Sequence, residues 1–118
     1  MELHKVKEIL DATVLCGEDA LDRQVKSACA SDFMSDVLAF VKDQGLLLTG
    51  MINPQVIRTA EMMDMRCIVF VRSKQPTPAM VELACESGIA VLATSKRMYE
   101  ACGILYANGL KGNGELDG

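Results

Sequence analysis

The chain has 118 residues, of which 50% are hydrophobic and 24% charged, and its formal net charge is −4. That length corresponds to one domain, and the composition is that of a folded globular protein rather than of a disordered chain. The acidic balance argues against nucleic-acid binding, and the sequence has neither a membrane-spanning apolar run nor the charge order of a signal peptide. We therefore expect a single cytoplasmic domain that binds neither nucleic acid nor a membrane.

The first third of the chain predicts two short helices and two short strands. Apolar spacing predicts a helix over residues 3–11, and apolar runs predict strands over 12–15 and 24–30 on either side of an acidic loop. A second helix is predicted from Ser31, as its N-cap, to about Lys42. The predicted inward face of that helix carries Phe33, Met34, Val37, Leu38 and Val41.

Three continuous apolar runs dominate the rest of the chain, and two amphipathic helices separate them. The runs cover residues 45–50, 66–72 and 88–94. Unbroken runs of this kind are typical of parallel strands that crossover helices bury on both faces. The sequence therefore predicts one three-layer α/β domain over residues 1–110, with a mostly parallel sheet and crossover helices on both faces.

Proline and glycine mark the ends of the helices in this part of the chain. Proline suits the first position of a helix, and glycine suits the left-handed residue that follows a helix. The start signals are Asn53-Pro54 and Thr77-Pro78, and the stop signal is Gly88. A last helix is predicted over residues 96–106, and a flexible polar tail over 111–118.

The five cysteines are widely spread and lie mostly in apolar runs. They are Cys16, Cys29, Cys67, Cys85 and Cys102. In a reducing compartment such residues are ordinarily buried thiols, so we expect no disulfide. The sequence has no CxxC motif and a single histidine, so we expect no metal site and no cofactor, although Cys67, Cys85 and Cys102 could converge in space.

Small and cationic side chains follow two of the predicted parallel strands. Thr49-Gly50 stands between a strand and a helix, and Arg72 and Lys74 follow the next strand. The carboxyl edge of an open parallel sheet is where such folds bind ligands, and cations beside a helix start favour an anion. The alternatives are a tight turn at Gly50 and solvated surface charge. The candidate ligand-binding residues are Ser31, Thr49, Gly50, Asn53, Arg58, Arg72, Ser73 and Lys74.

Catalytic machinery is not evident in the sequence. The motifs GxxxxGK[ST] and GxGxxG are both absent, and the only histidine, His4, stands on a polar helix face. Ser31 and Asp32 are explained by the start of a helix. We expect no catalytic residues.

Four segments of the chain resemble the DRTGG domain, and together they extend over about residues 14–110. They read SDFMSDVLAF, LLLTGMINPQVIRTAEMMDM, IVFVRSKQPTPAMVELACESGIAVLAT and MYEACGILY. The string DRTGG itself is absent, and LLTG (47–50) and VRSK (71–74) stand at the corresponding loops. Such domains are also similar to the amino-terminal domain of HPr kinase/phosphatase, and they occur as inserts in CBS-containing pyrophosphatases and in some phosphotransacetylases.

The resemblance implies a regulatory module that forms a homodimer and senses a small anionic or nucleotide-like ligand. No counterpart of the kinase domain of HPr kinase is found in these residues, so the resemblance does not imply kinase activity. The alternative is a docking subunit without a small ligand. Its protein partner would contact apolar helix faces and the methionines Met62, Met63 and Met65.

Overall fold

The computed structural model describes residues 1–40 and 45–112. The strands within these residues are β1 (Thr13–Cys16), β2 (Ser27–Ala30), β3 (Gly45–Thr49), β4 (Cys67–Phe70) and β5 (Ala90–Ala93). The α-helices are α1 (Leu3–Leu10), α2 (Met34–Phe40), α3 (Pro54–Met62), α4 (Pro78–Glu86) and α5 (Met98–Ala107). No helix in this described part is long and apolar enough to cross a membrane.

The strands form one sheet in the order β1-β5-β4-β3-β2. Strands β2, β3, β4 and β5 are parallel, and β1 pairs antiparallel with β5 at one edge. The predicted parallel sheet is therefore confirmed. The two short amino-terminal strands that the sequence predicts, β1 and β2, lie at opposite edges, with β5, β4 and β3 between them.

Helices cover both faces of the sheet, which confirms the three-layer architecture. Alternate side chains of each central strand point to opposite sides, as Leu46 and Leu47 do. One core cluster joins this sheet to α1 and α5, and the other joins it to α2, α3 and α4. Because each central strand is buried on both faces, its sequence is a continuous apolar run.

The predicted signals at the ends of α3 and α4 are confirmed. The Asn53 Oδ1 atom accepts a hydrogen bond of 2.8 Å from the Gln55 N–H. The Thr77 Oγ1 atom likewise accepts one of 3.2 Å from the Met80 N–H. Gly88 follows α4 with a φ of 76°, a conformation that costs glycine little.

The start of α2 differs from the prediction. The helix begins at Met34, and the Ser31 hydroxyl instead accepts a hydrogen bond from the Phe33 N–H within the preceding loop. Ser31 is therefore not the N-cap, because the first helical hydrogen bonds, from the Asp36 and Val37 N–H groups, go to the Phe33 carbonyl. The predicted apolar face is only partly buried: Met34 and Val37 are in the core, whereas Phe33 and Leu38 are 70% and 45% exposed.

Two predicted features lie wholly or partly outside the described residues. These are the end of α2 near Lys42, together with Val41, and the tail from residue 113 onward. Before that point the chain runs along β2, where the Lys111 carbonyl accepts a hydrogen bond of 3.0 Å from the Ala28 N–H.

The expectation of no disulfide is wrong, because Cys16 and Cys85 are joined. Cys16 ends β1, and Cys85 lies near the end of α4, which packs on β1 and β5. The two residues are 69 positions apart in sequence, so only the tertiary fold brings their Cα atoms to 6.0 Å. The free cysteines among the described residues are Cys29, Cys67 and Cys102.

Candidate anion-binding cleft

The carboxyl edge of the sheet has a crevice between β4 and β5. After β4 the chain turns to α4 on one face of the sheet, whereas after β5 it turns to α5 on the opposite face. Loops that leave neighbouring parallel strands toward opposite faces leave a gap between them. Open α/β sheets ordinarily bind their ligands in such a gap.

The crevice contains a cleft of about 470 Å³ lined by Arg72, Ser95 and Arg97. Arg72 follows β4, whereas Ser95 and Arg97 follow β5, with Lys96 between them. Two guanidinium groups and a hydroxyl supply several donors, and the arginine fork matches phosphate and carboxylate oxygens. The lining chemistry suits an anion.

The loop after β4 is a tight turn in a rarely populated conformation. Arg72 and Ser73 have φ values of 60° and 58°, and the Lys74 N–H donates to the Val71 carbonyl at 3.1 Å. Two hydrogen bonds toward the β5 strand and its loop hold the turn: the Arg72 N–H to the Lys96 carbonyl, and the Ser73 N–H to the Thr94 carbonyl. Because these N–H groups are already bonded, the donors that this turn can offer to a ligand are its side chains.

Buried threonines shape the loops after β3 and β5 in the same way. The Thr49 hydroxyl accepts a hydrogen bond of 3.1 Å from the Met51 N–H, and the Thr94 hydroxyl accepts one of 3.2 Å from the Lys96 N–H. Both threonines are at most 3% exposed. Each hydroxyl therefore serves, in place of a backbone carbonyl, as the acceptor for an N–H group just after its strand ends.

Asp32 connects the loops after β2, β3 and β4. Its Oδ1 atom accepts hydrogen bonds from the Gly50 N–H at 2.8 Å and from the Thr49 hydroxyl at 3.1 Å. Its Oδ2 atom lies 3.7 Å from the Arg72 Nη2 atom. Both side chains of this ion pair are more than 40% exposed, so the pair adds little stability. The pair places the Arg72 guanidinium beside the loop after β3.

Gly50 leaves the space in which the Arg72 guanidinium lies. A Cβ atom at Gly50 would overlap the Nη2 atom of Arg72 and would come within 3.1 Å of its Cζ atom. The backbone of Gly50 is not in the left-handed region. This position therefore favours glycine because glycine has no side chain, and not because of its backbone freedom. The guanidinium rests on the Gly50 backbone, between Asp32 and the cleft.

Comparison with known proteins gives the family. The family model described as "DRTGG domain" matches residues 5–107. The chain belongs to the DRTGG domain family. No curated protein matches the sequence.

This DRTGG domain has a solved structural relative. It is similar to the CBS and DRTGG domains of the regulatory region of Clostridium perfringens pyrophosphatase, solved in complex with the activator diadenosine tetraphosphate. The TM-score is 0.73 at 14% sequence identity, and the match covers 88% of this chain and 45% of that chain. The likeness shows a common fold, and this chain spans less than half of the relative.

The structure brings together three of the residues predicted from the sequence, Thr49, Gly50 and Arg72. Ser73 and Lys74 belong to the turn after β4. The other predicted residues lie elsewhere: Asn53 caps α3, Ser31 bonds to Phe33, and Arg58 is exposed on α3 and does not line the cleft.

Sequence reasoning missed four residues in or beside the candidate cleft, and for three of them a signal was present. Ser95, Lys96 and Arg97 follow the apolar run of β5 just as Arg72, Ser73 and Lys74 follow that of β4. Applying the same rule to each parallel strand would have found them. Asp32 had no such signal, because an acidic residue near a helix start is already explained by the helix dipole.

The free thiols are poorly suited to nucleophilic chemistry. Burial raises the pKa of Cys67 and of Cys102 above the usual range of a thiol. The pKa of Cys29 is also raised, first by burial, then by Asp36 and then by Cys102. Thiols with raised pKa stay protonated at neutral pH and react slowly. Among the described residues, no group of three or more His, Cys, Asp or Glu side chains is placed to hold a metal.

Proposed function

We propose that this DRTGG domain is a non-catalytic regulatory domain that forms a homodimer and binds a small anionic, nucleotide-like ligand in the cleft. The observation that carries the proposal is the Arg72 guanidinium, held by Asp32 and Gly50 at the edge of a cleft that Ser95 and Arg97 complete. The complex of the pyrophosphatase regulatory region with a dinucleotide activator supports a nucleotide as ligand class. Membership of the DRTGG domain family and the fold shared with that regulatory region support a regulatory role.

The charges in the cleft favour a phosphate group over a neutral ligand. Arg72 turns part of its guanidinium toward Asp32, and its remaining N–H groups are available to a second oxygen acceptor. Arg97 can approach the same anion from the other side of the cleft. Two arginines on separate loops therefore hold one phosphate. The turn after β4 fixes the backbone position of the first of them, Arg72.

A docking subunit remains the second candidate, and exposed apolar side chains favour it. Phe33 and Met62 are each 70% exposed. Met63 is partly buried, and Met65 is in the core at 4% exposure, so the methionine surface is smaller than the sequence predicts. A ligand that binds the cleft tightly would favour the regulatory function.

Removing the Arg72 side chain is expected to weaken ligand binding about 10- to 100-fold, because hydrogen bonds to charged groups contribute ~1.5–3 kcal/mol each. The measurement is a calorimetric titration of the intact chain with mono-, di- and triphosphate nucleotides and with diadenosine tetraphosphate. The comparison is between the wild type and Arg72→Ala.

The matched control is Arg66→Ala. It removes an arginine that directly precedes β4, at the end of this strand that is opposite to the cleft. Arg66 bonds to the Gln24 carbonyl at 3.0 Å, far along β4 from the cleft. Equal loss of affinity in both variants would mean that only the overall charge matters, and it would overturn the proposed site. Arg58→Ala tests in the same titrations whether the anion reaches α3.

A further inference from the structure

The Cys16–Cys85 disulfide lines a cavity of about 370 Å³ at the end of the sheet opposite to the candidate cleft. This disulfide cavity lies where the loop after β1 meets the loop before β5, and Gly17, Gly88 and Ala90 also line it. Of the two cysteines, Cys85 is exposed on α4, whereas Cys16 is 9% exposed. A small molecule in the cavity therefore reaches the disulfide from the side of Cys85.

Arg23 and Asp19 are the charged residues that line the disulfide cavity. One N–H group of the Arg23 guanidinium donates a hydrogen bond of 2.7 Å to the Gly88 carbonyl, which holds the cation at the cavity wall. A guanidinium has further N–H groups that can meet an anionic sulfur. A neighbouring cation favours the thiolate, which is both the attacking and the leaving group in disulfide exchange. Asp19 acts in the opposite sense.

Exposure distinguishes disulfides that exchange from those that serve as permanent cross-links. Structural disulfides resist reduction by the glutathione pool, whereas exposed ones are reduced more easily and are often regulatory. The exposure of Cys85 places this disulfide in the second group. Two core clusters fill both faces of the sheet, and a disulfide supplies part of a domain's free energy of unfolding. The domain can therefore stay folded when the disulfide is reduced.

Strand β1 depends on the disulfide more than the central strands do. It has four residues and one neighbouring strand, β5, and its register shifts between Val14 and Cys16. Cys16 is its one buried residue, and the disulfide ties that residue to α4. Short segments with few buried contacts are the ones that open locally. Opening the disulfide should therefore loosen the end of β1 and the loop that follows it.

We propose that the Cys16–Cys85 disulfide is a redox switch that a small thiol opens from this cavity, releasing β1 from α4 while the domain stays folded. The small thiolate forms a bond to the Cys85 sulfur as the protein S–S bond breaks, and Cys16 leaves as a thiolate that takes up a proton. A second small thiolate attacks the small-molecule sulfur of this mixed disulfide and releases a small disulfide and the Cys85 thiolate, which is also protonated. The protein gains two electrons and two protons, and two small thiols lose them.

The test equilibrates the full chain with reduced and oxidised glutathione at several ratios, and then blocks the free thiols for peptide mass spectrometry. We expect Cys16 and Cys85 to become reduced together in these buffers, while the circular dichroism spectrum of the folded chain is retained. Amide hydrogen exchange of residues 14–20 should become about tenfold faster or more on reduction, because the cross-link no longer holds β1. Exchange in β3 and β4 should stay unchanged.

Two single variants decide which sulfur the small thiol attacks. In Cys16→Ala, the exposed Cys85 thiol should form a mixed disulfide with oxidised glutathione. Cys85→Ala is the matched control, since it leaves one thiol of the same pair at the buried position Cys16. We expect its modification to be slower than that of Cys16→Ala, and modification of Cys16 at an equal or higher rate would contradict attack at Cys85. If either variant does not fold, the mixed disulfide trapped in the wild type decides the same point.

Arg23→Gln tests the electrostatic part of the proposal. The rate of reduction by an anionic thiol, divided by the rate for a cationic thiol, should fall about three- to fivefold in the variant, because the loss of one nearby positive charge affects the two reagents in opposite directions. An Arg23 that acted only through its bond to Gly88 would change both rates alike. Equal changes would overturn its assigned role.

Three results would overturn the switch itself. A disulfide that stays oxidised in every glutathione buffer would be a permanent cross-link. A reduced chain that loses its circular dichroism spectrum would show that the disulfide is needed for folding. Unchanged exchange of residues 14–20 after reduction would show that β1 does not depend on it. None of these results affects the proposed ligand cleft, which lies at the other end of the sheet.

Discussion

Replacing Gly50 by alanine is expected to weaken ligand binding about 10- to 100-fold while leaving the fold intact. The added methyl group takes the space of the Arg72 guanidinium, which must move away from Asp32 and from the cleft. The displaced atoms are the end of a flexible side chain, and the Gly50 backbone is not left-handed, so stability should change little. The expected change in affinity corresponds to the loss of the charged hydrogen bonds that one arginine makes to the ligand.

A double-mutant cycle with Arg72→Ala isolates this mechanism. If Gly50 acts only through Arg72, the variant that carries both changes binds no more weakly than Arg72→Ala alone. Calorimetric titration with the ligand found for the wild type measures the affinities, and thermal unfolding checks the fold. Wild-type affinity in folded Gly50→Ala would show that the ligand does not use the guanidinium in this position.

Removing the disulfide is expected to lower the free energy of unfolding by ~2–4 kcal/mol, because the cross-link closes a long loop in the unfolded chain. Cys16 and Cys85 are 69 residues apart, so the cross-link restricts a large part of the chain. The variant is Cys16→Ala with Cys85→Ala, which avoids unpaired thiols. Urea unfolding of the variant and of the wild type gives the difference.

Cys29→Ala is the control for that experiment, since it removes a half-buried free cysteine and leaves the disulfide in place. It should lose much less stability than the double variant. Equal urea midpoints for the double variant and the wild type would contradict the expected stabilisation. A titration that finds five free thiols in the unreduced, unfolded wild type would contradict the disulfide itself.

The parallel part of the fold could be predicted because the local sequence of each strand shows that the strand is buried on both faces. A strand such as β4 is apolar at every position, since helices cover both of its faces. The position of β1 could not be predicted in this way. It depends on the pairing of Thr13 with Ala93 at the far end of the chain, and no local pattern encodes that pairing.

The candidate site was predictable where a strand end carries the signal. Thr49, Gly50 and Arg72 follow apolar runs, and the direction of parallel strands places such residues at one edge. The contact between Asp32 and Gly50 depends on how the β2 loop meets the β3 loop, and the disulfide depends on how α4 packs on β1. Those contacts are properties of the tertiary structure.

A nuclear magnetic resonance titration of the wild-type chain with adenine nucleotides and diadenosine tetraphosphate tests the proposed cleft most directly. We predict that amide signals of Gly50, Arg72 and Ser73, and of residues 95–97, shift together as one ligand saturates the cleft. Signals at the opposite edge of the sheet, such as that of Arg66, should stay in place. Saturating shifts confined to other residues, or no shifts with any of these ligands, would contradict it.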